Sequence, residues 1–236
     1  MKAVRKASSK GGSESSIRLS KLSLDKLRGG YYTPDQLAEW LCAWAIRKAE
    51  DCVLEPSCGD GSFLEAAVKQ LRLKGATPKQ ISNQLRGIEI SPEEASASQS
   101  RVAKALDLRS SKVVSTDDFF SWWDTNRATS FDVVIGNPPF IRYQNFPEPH
   151  RARAMEMMGQ LGLSPNRLTN IWVPFVVAAA ASLRVGGRMA FVLPAELLQV
   201  TYASQLRSFL NDRFERIDIV TCNELFFENA EQEVVL

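Results

Sequence analysis

The run Phe131-Asp132-Val133-Val134-Ile135-Gly136 ends in Asn137-Pro138-Pro139-Phe140, and this junction constrains the fold more than any other stretch. A short, nearly continuous apolar run bounded by turn residues is the pattern of a strand buried on both faces, as in a parallel sheet covered by helices. Two consecutive prolines cannot donate to a ladder, so the chain must leave the strand there as a stiff turn. Open α/β sheets bind their ligands at the carboxyl ends of strands. The turn therefore presents one amide side chain, carbonyl groups and one aromatic face at such an edge.

These residue types suit one kind of chemistry. An amino group conjugated into a planar ring is a poor nucleophile, because its lone pair is delocalised. The side-chain oxygen of Asn137 and the backbone oxygen of Pro138 can accept both of its N–H groups and turn the lone pair out of the plane, while Phe140 stacks on the ring. Attack on a nearby electrophilic methyl then draws on positioning and oriented dipoles rather than on a strong base. Standing alone, the tetrapeptide is equally well explained as a rigid turn after a strand, so the segments upstream decide.

Upstream, Cys52-Val53-Leu54-Glu55 leads through Pro56-Ser57-Cys58-Gly59-Asp60-Gly61 into Ser62-Phe63-Leu64, with Phe63, Leu64, Ala67 and Val68 spaced for one helix face. This is the first strand, turn and helix of a doubly wound sheet. Gly59 and Gly61 allow a ligand close to the backbone, yet the third glycine of the dinucleotide fingerprint is missing, and Glu55 and Asp60 would repel a pyrophosphate. The acids suit a ligand with ammonium or sulfonium charge, which S-adenosylmethionine has and NAD lacks. Tight backbone packing is the competing explanation of the glycines. A second short strand, Gly87-Ile88-Glu89-Ile90, ends in a carboxylate placed for ribose hydroxyls. Ser91-Pro92-Glu93-Glu94 then supplies N-cap, N1 and N3 residues for a helix. A third strand, Val113-Val114-Ser115-Thr116, runs into Asp117-Asp118-Phe119-Phe120, where an Asp can accept from an adenine amino group and a Phe cover the ring. Taken singly, these acids also read as a solvated strand end and a surface turn.

In this order and spacing the segments resemble the N6-adenine DNA methyltransferases, in the group whose cofactor motifs precede the Asn-Pro-Pro-aromatic motif. The resemblance runs from Tyr31 to the last residue. It takes in Tyr31-Tyr32-Thr33-Pro34 ahead of the first strand and Gly186-Gly187-Arg188-Met189-Ala190-Phe191-Val192-Leu193-Pro194 as a fifth strand. It implies a doubly wound, Rossmann-like α/β class I methyltransferase sheet, mostly parallel with an antiparallel last strand, for which residues 216–220 and 233–236 supply the final pair. It implies S-adenosylmethionine as cofactor, DNA as partner, and site-specific methylation of adenine N6 within a restriction-modification or phage-defence system. Residue by residue, Thr33, Glu55, Ser57, Cys58, Gly59, Glu89, Ile90, Asp118, Phe119 and Pro139 fall at cofactor-contacting positions. Asn137, Pro138 and Phe140 fall on the catalytic loop. Phe226, in Asn223-Glu224-Leu225-Phe226, falls where a second aromatic meets the flipped target base, with Phe227 as its alternative and core packing of both rings as the plain explanation.

Thr33, Pro34 and Gln36 also read as a capping box that opens a helix with Leu37, Trp40, Leu41, Trp44 and Ala45 on one face. Thr77-Pro78-Lys79-Gln80 repeats the pattern and predicts a short helix before the second strand. Between Phe140 and a helix expected near Thr169, basic and aromatic residues interleave: Arg142, Tyr143, Phe146, Arg151, Arg153 and Arg167. Such a segment suits phosphate contacts or filling the gap left by an extruded base, and equally a surface helix over residues 151–161.

With 236 residues, 44% hydrophobic and 24% charged, the chain suffices for one main domain with a sizeable core. Its longest apolar stretch, residues 172–183, is too short to span a bilayer, so no membrane role is expected. Cys42, Cys52, Cys58 and Cys222 lack paired spacing and His150 is the sole histidine. This argues against a metal site or disulfide framework and for a reducing cytoplasm. Residues 1–28 are rich in Ser and Gly and strongly basic, a disordered arm expected to touch DNA phosphates or simply to aid solubility. Residues 29–236 form the expected catalytic domain. The final run stops within a strand and no target-recognition domain follows, so a fragment, or reliance on a specificity subunit, is expected. Methylation of an RNA base or a protein glutamine, and a non-catalytic nucleic-acid-binding subunit, stand as alternatives. The intact Asn137 and acids speak against the last.

Overall fold

A computed structural model of the chain describes residues 33–164, 169–221 and 234–236. The basic arm, Tyr31, Tyr32, Arg167, Cys222, Phe226 and Phe227 lie outside the described residues. The expected runs become the strands β1 (Val53–Glu55), β2 (Leu85–Glu89), β3 (Val114–Thr116), β4 (Phe131–Gly136) and β5 (Leu183–Phe191), the last of them buried only at Ala190 and Phe191. They form one sheet in the order β3-β2-β1-β4-β5, every neighbouring pair parallel.

All of β4 is buried because helices cover both faces of the sheet. Val133 and Ile135 pack with α1 (Asp35–Ala45), α2 (Ser62–Leu73) and α4 (Pro92–Ala105). Phe131 and Val134 pack with α5 (Phe119–Thr125), α6 (His150–Gln160) and α7 (Trp172–Ala181). From Val133 to Ile135 the faces alternate with the two-residue period of a strand, and a register shift between Phe131 and Val133 puts Phe131 on the face of Val134. β1 lies between β2 and β4, so the winding direction reverses there and a crevice opens at the carboxyl ends of β1 and β4.

Local capping follows the sequence at two helices. In α3 (Pro78–Gln84) the Gln80 backbone N–H donates to Thr77 Oγ1 at 3.4 Å, and the Thr77 N–H donates to Gln80 Oε1 at 2.9 Å. At α4 the Glu94 N–H donates to Ser91 Oγ. Helix α1 differs from expectation. Pro34 is its N-cap and no side chain among the described residues caps it, the Thr33 hydroxyl being engaged across the crevice with Asn137. Its buried face is Leu37, Ala38, Leu41, Cys42 and Ala45, while Trp40 and Trp44 are 49% and 40% exposed. The small Ala38 and Cys42 let the helix approach its neighbours closely, and the two indoles are turned outward.

The insertion after the Asn-Pro-Pro-Phe loop holds a 3₁₀ turn (Tyr143–Asn145) and α6, which is more than a surface helix: Ala154, Met157 and Met158 enter the core. No described helix is long and apolar enough to cross a membrane. After β5, a short antiparallel pair forms between β6 (Leu193–Pro194) and β7 (Val234–Val235). The expected pairing of residues 216–220 with 233–236 is realised only at its tip. Val220 and Leu236 exchange backbone hydrogen bonds at 3.0 Å and Thr221 bridges Val235. Ile217 and Ile219 are exposed, so that run has no buried face to hold it in a ladder.

Candidate active site

The turn after β1 is closed by two backbone bonds, from the Cys58 N–H to Ile88 O at 2.9 Å and from the Gly61 N–H to Cys58 O at 2.7 Å. Gly59 and Gly61 take φ of +47° and +86°. A Cβ on Gly61 would lie 2.5 Å from Ser98 Oγ and 3.1 Å from Ser98 Cα, whereas one on Gly59 would meet nothing within 4 Å. Gly61 thus admits α4, and Gly59 leaves open space at the crevice. Gly61→Ala is expected to destabilise the fold by about 2–4 kcal/mol, combining left-handed strain with overpacking, and Gly59→Ala by about 1–2 kcal/mol from strain alone. Equal shifts of the urea midpoint in the two variants would remove the packing argument.

Two carboxylates flank this turn. Glu89 accepts the Gly59 N–H at 2.9 Å on Oε2 and the Ser91 N–H at 2.8 Å on Oε1, tying β2 to the turn; burial raises its pKa. Glu55, at the end of β1, is only 2% exposed, and its Oε2 has no hydrogen-bond partner among the described residues. Burial, then the charges of Asp60 and Glu89, push its carboxyl well above the usual range, with the Leu64 N–H and Arg101 acting in the opposite direction. A buried carboxylate left this way is costly unless a donor or cation arrives.

The Asn-Pro-Pro-Phe loop leaves β4 against that acid. Gly136 has φ of +153°, and a Cβ there would lie 3.3 Å from Phe191 Cε1 and 3.6 Å from Glu55 Cγ. Next in the chain, Asn137 Nδ2 donates to Thr33 Oγ1 at 3.2 Å, which fixes the amide and makes Oδ1 its acceptor end. Pro138 is buried, Pro139 half-buried, and the half-buried Phe140 rests on the core layer of α5 to α7.

At the end of β3, Asp118 caps α5 by accepting the Ser121 N–H at 2.8 Å on Oδ1. Its Oδ2 lies 3.1 Å from His150 Nδ1 on α6, and Arg153 approaches Oδ1 at 3.9 Å. Burial is the main cause of a raised Asp118 pKa, opposed by the Ser121 N–H and by the neighbouring His150 and Arg153. The Phe119 ring is in the core, stacked on Phe175 with centroids 5.4 Å apart. The Cys58 thiol also faces inward, accepting from Ser98 Oγ at 3.5 Å, and burial raises its pKa. Ser57 is half-buried and Ile90 exposed. Cys42, Cys52 and Cys58 are free thiols. Among the described residues no cluster of His, Cys, Asp or Glu is arranged to hold a metal ion.

Two residues escaped the sequence reading. His150, a lone histidine, carries no spacing signal, and Arg101 meets carboxylates 36, 41 and 66 positions away.

The sheet order, the crevice and its acid-lined turn define the fold as that of the class I S-adenosylmethionine-dependent methyltransferases. Solved structures of this kind superpose well. The DrdV–DNA complex matches with a TM-score of 0.74 at 14% identity, covering 93% of this chain and 27% of that one. The M protein of the type I restriction enzyme EcoKI matches with a TM-score of 0.66 at 17% identity, covering 93% and 45%. The chain belongs to the Eco57I restriction-modification methylase family, whose model matches residues 19–226. Among its relatives, the type II methyltransferase M.TthHB8I of Thermus thermophilus is 30% identical over 211 residues, 88% of this chain and 44% of that protein. M.HincII of Haemophilus influenzae is 24% identical over 200 residues, 84% of this chain and 34% of the relative. The chain thus spans about a third to under a half of the length of these relatives.

Proposed function

We propose that this chain carries the catalytic part of an enzyme that methylates adenine N6 in DNA, site-specifically, within a restriction-modification or defence system. The observation that carries the reading is the Asn137 amide, held by Thr33 at the end of β4, directly after Gly136, which packs against the buried Glu55. The relatives bear the name of type II methyltransferases, and a structural neighbour is a complex with DNA. A specificity subunit or a further recognition domain completes such a system, in the cytoplasm.

S-adenosylmethionine fits the residues present. The partnerless Glu55 Oε2 suits an ammonium group, the open space at Gly59 suits a ligand against the backbone, and the acids disfavour a pyrophosphate. Thr33, Glu55 and the backbone of Ser57 to Gly59 would hold its methionine end, Glu89 and Ile90 the ribose, and Asp118 and Pro139 the adenine, whereas the Phe119 ring, expected from the sequence to cover the adenine, is committed to the core against Phe175. When bound, this cofactor supplies an electrophilic methyl on sulfonium. Asn137 Oδ1 and Pro138 O accept the two N–H groups of the target amine and turn its lone pair toward that methyl. Phe140 stacks on the target base, with Phe226 opposing it on the strength of the family resemblance. Arg142 and the Arg151–Tyr143 pair, with the guanidinium 4.8 Å from the ring centroid, lie on the insertion and suit DNA phosphates.

Asp118→Ala and Glu89→Ala are each expected to weaken cofactor binding by roughly 1.5–3 kcal/mol, the worth of a hydrogen bond to a charged acceptor. Calorimetry decides, and unchanged affinity in both variants relocates the cofactor. The reaction itself is tested by incubating the protein with labelled S-adenosylmethionine and DNA, RNA or protein, then identifying the modified unit by mass spectrometry. Label in N6-methyladenine of DNA is the expected result; label only in RNA or glutamine overturns it.

A further inference from the structure

We infer that Arg101 is a positioning residue for cofactor binding: one guanidinium locks the glycine turn to α1 and α2 and supplies the positive charge that lets several carboxylates stand beside the cofactor. The inference rests on the proposed cofactor site. All three guanidinium nitrogens are used, each on a different element. Nε donates to Glu65 Oε2 of α2 at 2.5 Å, Nη1 to Asp60 Oδ2 of the turn at 2.8 Å, and Nη2 to Asp35 Oδ1 of α1 at 2.6 Å. Arg101 itself belongs to α4, so four elements converge on one side chain that is three-quarters buried. Lysine cannot reproduce this, since an ammonium lacks the planar fork that serves several carboxylates at once.

Both walls of the crevice hang on these contacts. Asp35 lies two residues after Thr33, whose hydroxyl holds Asn137. Asp60 accepts the Ser62 N–H at 3.1 Å on its other oxygen, fixing the start of α2 directly after Gly61. The charge argument is separate. Glu55 is acted on by Asp60 of the turn and Glu89 of β2, which favour its protonated form, and by Arg101 of α4 and the Leu64 N–H of α2, which favour the carboxylate. The thiols of Cys42 and Cys58 also feel Glu55, and burial keeps them neutral. Lys69 offsets Glu39 and Glu65 at 2.9 and 3.1 Å, farther along α2. Removing Arg101 therefore frees the turn and also makes Glu55 easier to protonate, which weakens its hold on an ammonium group.

The test titrates S-adenosylmethionine into the wild-type chain, Arg101→Met and Arg101→Lys at a series of pH values from mildly acid to mildly alkaline, because burial moves a carboxyl's titration upward. Arg101→Met is expected to bind about ten- to a hundredfold more weakly at neutral pH. Its affinity should also fall away at a higher pH on acidification than in the wild type. Arg101→Lys should keep the wild-type pH profile, because the charge remains, yet bind several-fold more weakly, because the fork is gone. Wild-type affinity in both variants overturns the inference, and so does an equal loss in both with unmoved pH profiles, which is mere packing. If Arg101→Met fails to fold by circular dichroism, Arg101→Lys decides alone: affinity equal to wild type overturns the positioning role. Failure of the wild-type chain to bind the cofactor at any pH is a different result, and overturns the proposed site together with this inference.

Discussion

Asn137→Ala is expected to lower the rate of methyl transfer by about 100- to 1,000-fold or more, the usual loss when one preorganised polar group facing a developing charge is removed. Cofactor affinity should stay nearly unchanged. The amide oxygen is proposed to act on the incoming amine, and the amide nitrogen is already occupied with Thr33 at 3.2 Å. The same bond gives a control. Thr33→Val leaves the Asn137 oxygen in place but removes the acceptor that orients it, so with cofactor saturating, to offset the loss of the proposed Thr33 contact to its methionine end, a smaller loss of rate is expected, and the double variant should be little worse than Asn137→Ala alone. Single-turnover rates with labelled cofactor give the measurement. Full activity in Asn137→Ala would exclude this amide as the group that reshapes the amine.

That pairing also marks where sequence reading reached its limit. Thr33 looks like the first residue of a capping box, and locally nothing distinguishes it from Thr77, which does cap its helix. Capping at Thr77 was legible because both partners lie three residues apart. At Thr33 the competing partner is on β4, more than a hundred residues away, and only the sheet order brings it near. The central strands were legible for a related reason: a strand buried on both faces shows itself as an apolar run, and β4 is such a run. The face of α1 was not, because hydrophobicity favours Trp40 and Trp44 for the interior, whereas close packing selected Ala38 and Cys42. The acids at the ends of β1, β2 and β3 could be named from the chain. Their partners could not, since Glu89 meeting the Gly59 amide and Asp118 meeting His150 both depend on tertiary register.

Glu55→Gln is expected to have opposite effects on stability and on binding. The Glu55 carboxyl is buried with one oxygen unpaired, and burial first, then Asp60 and Glu89, raise its pKa well above the usual value. A group that holds its proton more tightly when folded gives stability that is full below the unfolded pKa and is lost as pH rises toward the folded one. At neutral pH Glu55 therefore works against the cofactor-free fold, either by ionising in its buried place or by holding a proton that the unfolded chain gives up. Glutamine is close in shape and uncharged, so the variant should be more stable than the parent at pH 7 to 8, and the difference should shrink as the pH falls below about 4, under the ordinary carboxyl value of the unfolded chain, where Glu55 is protonated in both states. Cofactor binding should fall by about a hundredfold or more, since the cofactor's ammonium loses its charged partner. This is the stability sacrifice expected of a functional group held in an unfavourable place. Urea denaturation at the two pH values, alongside calorimetry with S-adenosylmethionine, tests both halves. A variant less stable than the parent at pH 8 would show that the Glu55 charge is compensated within the fold, and its strained position could then no longer be taken as a sign of the ligand it awaits.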